Sequence, residues 1–123
     1  MKKTVVIIPT YNEIENISLI IDSLFNINLT LDVLVVDDNS PDGTSKVVKN
    51  LMDKYKKKLY LEKKDKKEGL GVAYVHGFNW ALVRNYDYIF QMDADLSHNP
   101  NELKKMTTRL DLDADVIIGS RYK

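Results

Sequence analysis

The sequence predicts an α/β fold: a three-layer, Rossmann-like αβα domain around a mostly parallel sheet. Three observations carry this. Short β-branched runs alternate with longer stretches whose apolar residues recur at helical spacing. Two runs, Val5-Val6-Ile7-Ile8 and Val33-Leu34-Val35-Val36, are apolar on both faces, as strands covered from both sides must be. The alternation continues along the whole chain, and consecutive strand–helix–strand units build parallel pairs through right-handed crossovers.

The elements follow in order. Val5–Ile8 is a first strand, which Pro9 is expected to stop because proline gives no ladder donor. Ile17, Ile20, Ile21, Leu24 and Phe25 mark a first helix, and Asn12 with Glu15 has the spacing of a capping box. Val33–Val36 is the second strand. Asp37 to Thr44 is turn-rich, with Ser40 or Asp42 available to cap a second helix through Val47, Val48, Leu51, Met52 and Tyr55. Leu59–Leu61 is a third strand, and Gly71 to Arg84 a third helix. Tyr88–Met92 is a fourth strand ending at Asp93. Asn99, Pro100 and Glu102 open a fourth helix, and Val116–Ile118 is a fifth strand. That last strand is too apolar for a free edge. It is expected to close against the fourth in the order 3-2-1-4-5, or to be covered by another molecule.

At 123 residues and 44% hydrophobic content, the chain reads as one domain, 1–123, with enough apolar surface for one core. The absence of cysteine excludes a disulfide scaffold and any thiolate metal site. Lys plus Arg and Asp plus Glu both total 18, so net charge draws the chain neither to nucleic acid nor to an anionic membrane. The basic start Met1-Lys2-Lys3 precedes an apolar stretch too short for a signal peptide, and no apolar run is long enough to span a bilayer. The expected location is cytoplasmic. From Lys54 to Lys67 there are eight lysines, interrupted by Glu62 and Asp65; a solvated helix end and loop is one reading, a phosphate or lipid-headgroup contact the other.

In open α/β sheets the ligand lies beyond the carboxyl ends of the strands. Strand one delivers Pro9-Thr10-Tyr11-Asn12-Glu13 there, strand two Asp37-Asp38-Asn39-Ser40-Pro41-Asp42-Gly43-Thr44, strand three only lysines and Asp65, strand four Asp93-Ala94-Asp95-Leu96-Ser97-His98, and strand five Gly119-Ser120-Arg121. Asp93 and Asp95, one residue apart just past an apolar strand, supply hard oxygen ligands for Mg²⁺ or Mn²⁺, and the small Ala94 lets a phosphate approach. The plainer reading is a solvent-facing loop with capping aspartates. Asp37-Asp38 is either an ordinary turn or a carboxylate that accepts from a base N–H or a ribose hydroxyl. Tyr11 offers an aromatic face to a nucleobase, or packs on the helix beneath it. His76 reads as packed or exposed within its helix, and His98 as a loop residue or a substrate contact. The three-glycine dinucleotide fingerprint fails at Tyr74, and no P-loop exists.

The blocks VVIIPTYNE (5–13), VLVVDDNSPDGT (33–44), EGLGVAYVHGF (68–78), MDADLSHNP (92–100) and ADVIIGSRY (114–122) resemble the family 2 glycosyltransferases of GT-A fold. Among these the chain looks most like dolichyl- or polyprenyl-phosphate mannose synthases. The resemblance implies that Pro9, Tyr11 and Glu13 line a nucleotide pocket and that Val36 and Asp38 contact the base. It implies that Asp93, Ala94 and Asp95 hold a metal and the diphosphate, and that Arg121 binds the diphosphate or sugar-phosphate end. Some relatives carry a metal-binding Gln where Ser97 stands; the shorter serine would act through water. The implied reaction is inverting transfer of a hexose, mannose from GDP-mannose, to a polyprenyl phosphate at the cytoplasmic face of a membrane. Alternatives are a UDP-sugar with a hydroxyl acceptor, or a nucleotide-binding module without catalysis. A phosphoacceptor receiver domain is disfavoured, because its acids belong after strands one and three. Relatives of this kind run about twice as far, so the expectation is the nucleotide-binding half of a longer enzyme.

Overall fold

The computed structural model describes residues 3–26, 30–92 and 94. The order is β1 (Thr4–Thr10), α1 (Ile17–Asn26), β2 (Asp32–Asp37), α2 (Thr44–Lys54), β3 (Leu59–Lys63), α3 (Leu70–Val83) and β4 (Tyr88–Gln91). Among the described residues the strands form one sheet in the order β3-β2-β1-β4, every pair parallel. Ile7 stands opposite Leu34 on one side and Gln91 on the other, and Leu34 stands opposite Tyr60. The fourth helix and fifth strand expected from the sequence lie outside the described residues.

Alternate strand residues point to opposite faces, and the core divides accordingly. Val6, Ile8, Val33, Val35 and Phe90 face α1 and α2, packing with Ile17, Ile20, Ile21, Leu24 and Val48. Val5, Ile7, Leu34, Val36 and Ile89 face α3, packing with Ala73, Tyr74 and Ala81. Gly77 sets how closely α3 approaches. A Cβ there would fall 2.7 Å from Ile7 Cγ2 and 3.2 Å from Val36 Cγ2, closer than packed carbons tolerate. Beyond its packed side, α3 exposes Val72, Val75, Leu82 and Val83, and an open apolar recess lined by Tyr74, Val75, Phe78 and Gln91 runs between α3 and β4.

Five sequence expectations need correction. Pro9 does not stop β1, which continues to Thr10 with Pro9 opposite Val36. In a parallel ladder the hydrogen-bonding direction alternates along the strand. Ile7 accepts from Met92 on the β4 side and Thr10 from Asp38 on the β2 side. The missing Pro9 donor therefore faces β4, where the paired register has already ended at Ile7 and Gln91. Asn12 and Glu15 do not form a capping box. Asn12 turns into the left-handed region, φ 57°, and the helix starts only at Ile17, with the Asn16 and Ile17 amides donating to the Glu13 carbonyl at 3.0 and 2.9 Å. Neither candidate cap sits at the start of α2: the N-cap is Gly43, left-handed at φ 94° with no side-chain cap bond, and Asp42, one residue earlier, accepts the Thr44 amide on Oδ1 at 3.0 Å. The third helix begins one residue earlier than expected, and β4 ends at Gln91.

Candidate nucleotide site at the carboxyl edge of the sheet

The ends of β1 and β2 are tied together by a carboxylate with no exposed surface. Asp37 accepts the Thr10 hydroxyl at 2.7 Å, the Ser40 hydroxyl at 2.6 Å and the Ser40 amide at 2.9 Å. Ser40 in turn accepts the Asn12 amide at 2.9 Å. This chain of bonds explains the left-handed Asn12: the turn aims its N–H at Ser40 and leaves Tyr11 at the rim. A second tie follows one step out. The Glu13 amide donates to Thr44 Oγ1 at 3.1 Å, and the Ile14 amide to Asp42 Oδ2 at 3.2 Å. Burial raises the Asp42 pKa, but donation from the Thr44 hydroxyl and from the Thr44 and Ile14 amides outweighs it and holds this carboxyl below its usual value.

Asp38, also buried, points elsewhere. Its Oδ1 accepts the Glu68 amide at 2.9 Å and its Oδ2 the Gly69 amide at 2.8 Å. Those are the last two N–H groups before α3, a site that favours a negative charge. Gly69 has φ 99°, which a side chain would resist, and this conformation presents its amide to β2. Lys64, buried at the end of β3, ion-pairs with Glu68, and that hydrogen bond followed by the charge attraction lowers the Glu68 pKa. The Lys64 amide donates to the Asp37 carbonyl at 2.8 Å. Lys67 completes the rim, its Nζ 4.3 Å from the centroid of the Tyr11 ring.

Of the residues expected at the site, Pro9, Tyr11, Glu13, Val36 and Asp38 lie at or next to this edge. Tyr11 and Glu13 are half-buried at the rim. The Val36 side chain is wholly buried beneath α3, against Gly77. Asp93, Asp95, Ser97, His98 and Arg121 lie outside the described residues. Ala94, between the two aspartates, is buried, and packs with Met92 in the core beneath α1 and α2. His76 is exposed, with Nε2 2.9 Å from Glu62 Oε1, away from the rim. The sequence reading brought Thr10 and the lysines after strand three to this edge but missed their partners, Asp37 for Thr10, Glu68 for Lys64 and Tyr11 for Lys67, and it missed the Glu68 and Gly69 amides on Asp38. The Asp38–Gly69 bond joins residues 31 apart along the chain, and no local pattern announces it. The Gly69-Leu70-Gly71 run was the nearest signal, as a helix start that demands a left-handed residue.

The arrangement gives buried acceptors, a half-buried aromatic face and lysines around one edge of the sheet. Among the described residues no group of three acidic or histidine side chains could hold a metal. Asp37 is already occupied by its three donors, and the Asp93 and Asp95 pair expected to hold a metal lies outside the described residues.

Comparison with known proteins bears on what this edge serves. The profile described as Glycosyl transferase family 2 matches residues 5–123. The chain is 44% identical over 121 residues to a polyprenol monophosphomannose synthase of Mycolicibacterium smegmatis, covering 98% of this chain and 46% of that protein. It is 42% identical over 119 residues to an undecaprenyl-phosphate mannosyltransferase of Micrococcus luteus, covering 97% and 48%. The chain thus spans about half the length of these relatives. Among solved structures, the mannosyltransferase PcManGT of Pyrobaculum calidifontis, in complex with GDP-Man and Mn²⁺, superposes with a TM-score of 0.71 at 27% identity, over 88% of this chain and 32% of that one. S. aureus TarS 1-349 in complex with UDP-GlcNAc gives 0.71 at 28% identity, over 89% and 31%. With the sheet order, the carboxyl-edge site and a family match over nearly its whole length, the chain belongs to glycosyl transferase family 2.

Proposed function

We propose that this chain is the nucleotide-sugar-binding part of a metal-dependent, inverting hexosyltransferase. The donor is GDP-mannose and the acceptor a polyprenyl phosphate at a membrane surface. The observation that carries the reading is the pair of buried carboxylates at the carboxyl edge, beside Tyr11. Asp37 fixes the edge, and Asp38, clamped to the start of α3, keeps lone pairs for a base N–H. The two curated relatives are named for mannosyl transfer to polyprenol or undecaprenyl phosphate, and one solved neighbour holds GDP-Man with Mn²⁺. A divalent ion held by Asp93 and Asp95 would neutralise charge on the departing diphosphate, and Arg121 would add a bidentate contact. A phosphate monoester has a second pKa of about 6, so a lipid phosphate is already an anion at neutral pH and attacks without a protein base. The described site accordingly offers binding groups. A UDP-sugar with a hydroxyl acceptor is the second reading, favoured by the TarS complex with UDP-GlcNAc.

Calorimetric titration with GDP-mannose and UDP-GlcNAc, with and without Mn²⁺, tests this. GDP-mannose should bind more tightly than UDP-GlcNAc and gain affinity from Mn²⁺; Asp95→Asn should remove that gain and keep the metal-free affinity. A Mn²⁺ gain that survives in Asp95→Asn overturns the metal assignment. A preference for UDP-GlcNAc transfers the reading to the second donor.

A further inference from the structure

The eight lysines between Lys54 and Lys67 form one basic stretch in sequence but two groups in space. Lys54 and Lys56 to Lys58 precede β3 and lie toward the opposite end of the sheet from the candidate site. Lys63 ends β3, and Lys64, Lys66 and Lys67 follow it, at the carboxyl edge. Within the second group Lys64 is buried and paired with Glu68. Lys67 is different: it is exposed, and its ammonium rests on the Tyr11 ring. The position is imposed by its neighbours, because Asp38 grips the amides of the next two residues and Lys64 grips the Glu68 side chain. The Lys67 ammonium thus covers one face of Tyr11, where a planar ring stacking on that face would lie.

Resting on the nucleotide-site reading above, we propose that Lys67 is a specificity residue that discriminates nucleoside diphosphates from free nucleosides. Without ligand its ammonium occupies the Tyr11 face. A base that stacks on Tyr11 displaces it. Base–aromatic stacking is stronger than an exposed cation–π contact, so the exchange is favourable but reduced. A free nucleoside bears the whole loss. A nucleoside diphosphate recovers it, since the released ammonium stands on a flexible stem at the mouth of the pocket and meets the phosphates as a point charge. The shared chemistry is phosphate, and the source assigned here is the nucleotide's own diphosphate, not the lipid acceptor.

The test compares the unmodified chain with Lys67→Met, which keeps the stem and removes the charge, using guanosine, uridine, GDP, UDP, inorganic diphosphate and a short-chain prenyl phosphate in calorimetry. The expected signature is opposite in sign. Lys67→Met binds the preferred nucleoside about two- to fivefold more tightly, the range a cation–π contact corresponds to, and its diphosphate more weakly. Changes of the same sign for nucleoside and nucleotide overturn the proposal while leaving the nucleotide site intact. Loss confined to prenyl phosphate assigns Lys67 to the acceptor and overturns it equally. Failure of the unmodified chain to bind any nucleotide overturns the site reading and the Lys67 proposal together. Lys56→Met, exposed at the opposite end of the sheet, is the control and should leave both affinities unchanged.

Discussion

The two ends of the sheet treat their carboxylates differently. At the amino end, charges settle on aromatic faces. Lys3 lies 4.5 Å over the Tyr86 ring and Arg84 lies 4.1 Å over Trp80, while Trp80 stacks with Tyr86 at 5.9 Å. The Tyr86 hydroxyl donates to Asp32 at 2.6 Å, and burial, then the Asp32 carboxylate, drive its pKa far upward. At the carboxyl end the carboxylates themselves are buried, held by hydroxyls and amides. An ion on a ring at the solvent edge closes a surface and asks little of its surroundings. A buried carboxylate without a cation must have every donor in place, and so it dictates the loops around it. At the candidate site, therefore, the buried carboxylates set the conformation of the loops.

Replacing the carboxylate at the centre of that end should have the largest effect. Asp37→Ala leaves the Thr10 hydroxyl and the Ser40 hydroxyl and amide without their acceptor in a dry site. Unsatisfied buried groups cost about 1–3 kcal/mol each, with partial relaxation. Urea denaturation should show a loss of about 3 kcal/mol, and a loss below about 1 kcal/mol would mean that water replaces the carboxylate and the two ends are less different than argued.

Tyr86→Phe asks the same question at the amino end. It removes one hydrogen bond to a partly exposed carboxylate and keeps the aromatic stack, so the expected cost is about 1 kcal/mol, with nucleotide affinity unchanged. A cost equal to that of Asp37→Ala, or a change in nucleotide binding, would break the distinction between the ends.

The smallest effect is a pH dependence. The folded Asp42 pKa is depressed, so its stabilisation is complete above the usual carboxylate value, about 4, and fades as pH falls through the lower folded value. Asp42→Asn should be less stable than the unmodified chain at pH 7, and the gap should close on acidification. A gap constant down to pH 2 would show that the Asp42 charge contributes nothing to the tie with Ile14.

The sequence determined the parts of this protein that depend on local order. Paired apolar runs made the strands, because a chain segment hydrophobic on both faces must be covered on both. Helical spacing made the three described helices, and their alternation with strands made every observed pairing parallel. It also put Tyr11, Asp37 and Asp38 at strand ends, which is where this fold carries ligands. The family resemblance, on five blocks in order, was likewise legible. What the sequence left open were the partners of the polar groups. Asp37 and Asp38 are adjacent in sequence and look interchangeable. One is enclosed by Thr10 and Ser40, and the other reaches 31 residues along the chain to Gly69. Neither the left-handed Asn12 nor the close approach at Gly77 has a local cause: the first follows from where Ser40 sits, the second from where Ile7 sits. Hydrophobic periodicity repeats every few residues, so a short window reveals it. A buried hydrogen bond has no period, and only the folded chain decides which donor meets which carboxylate.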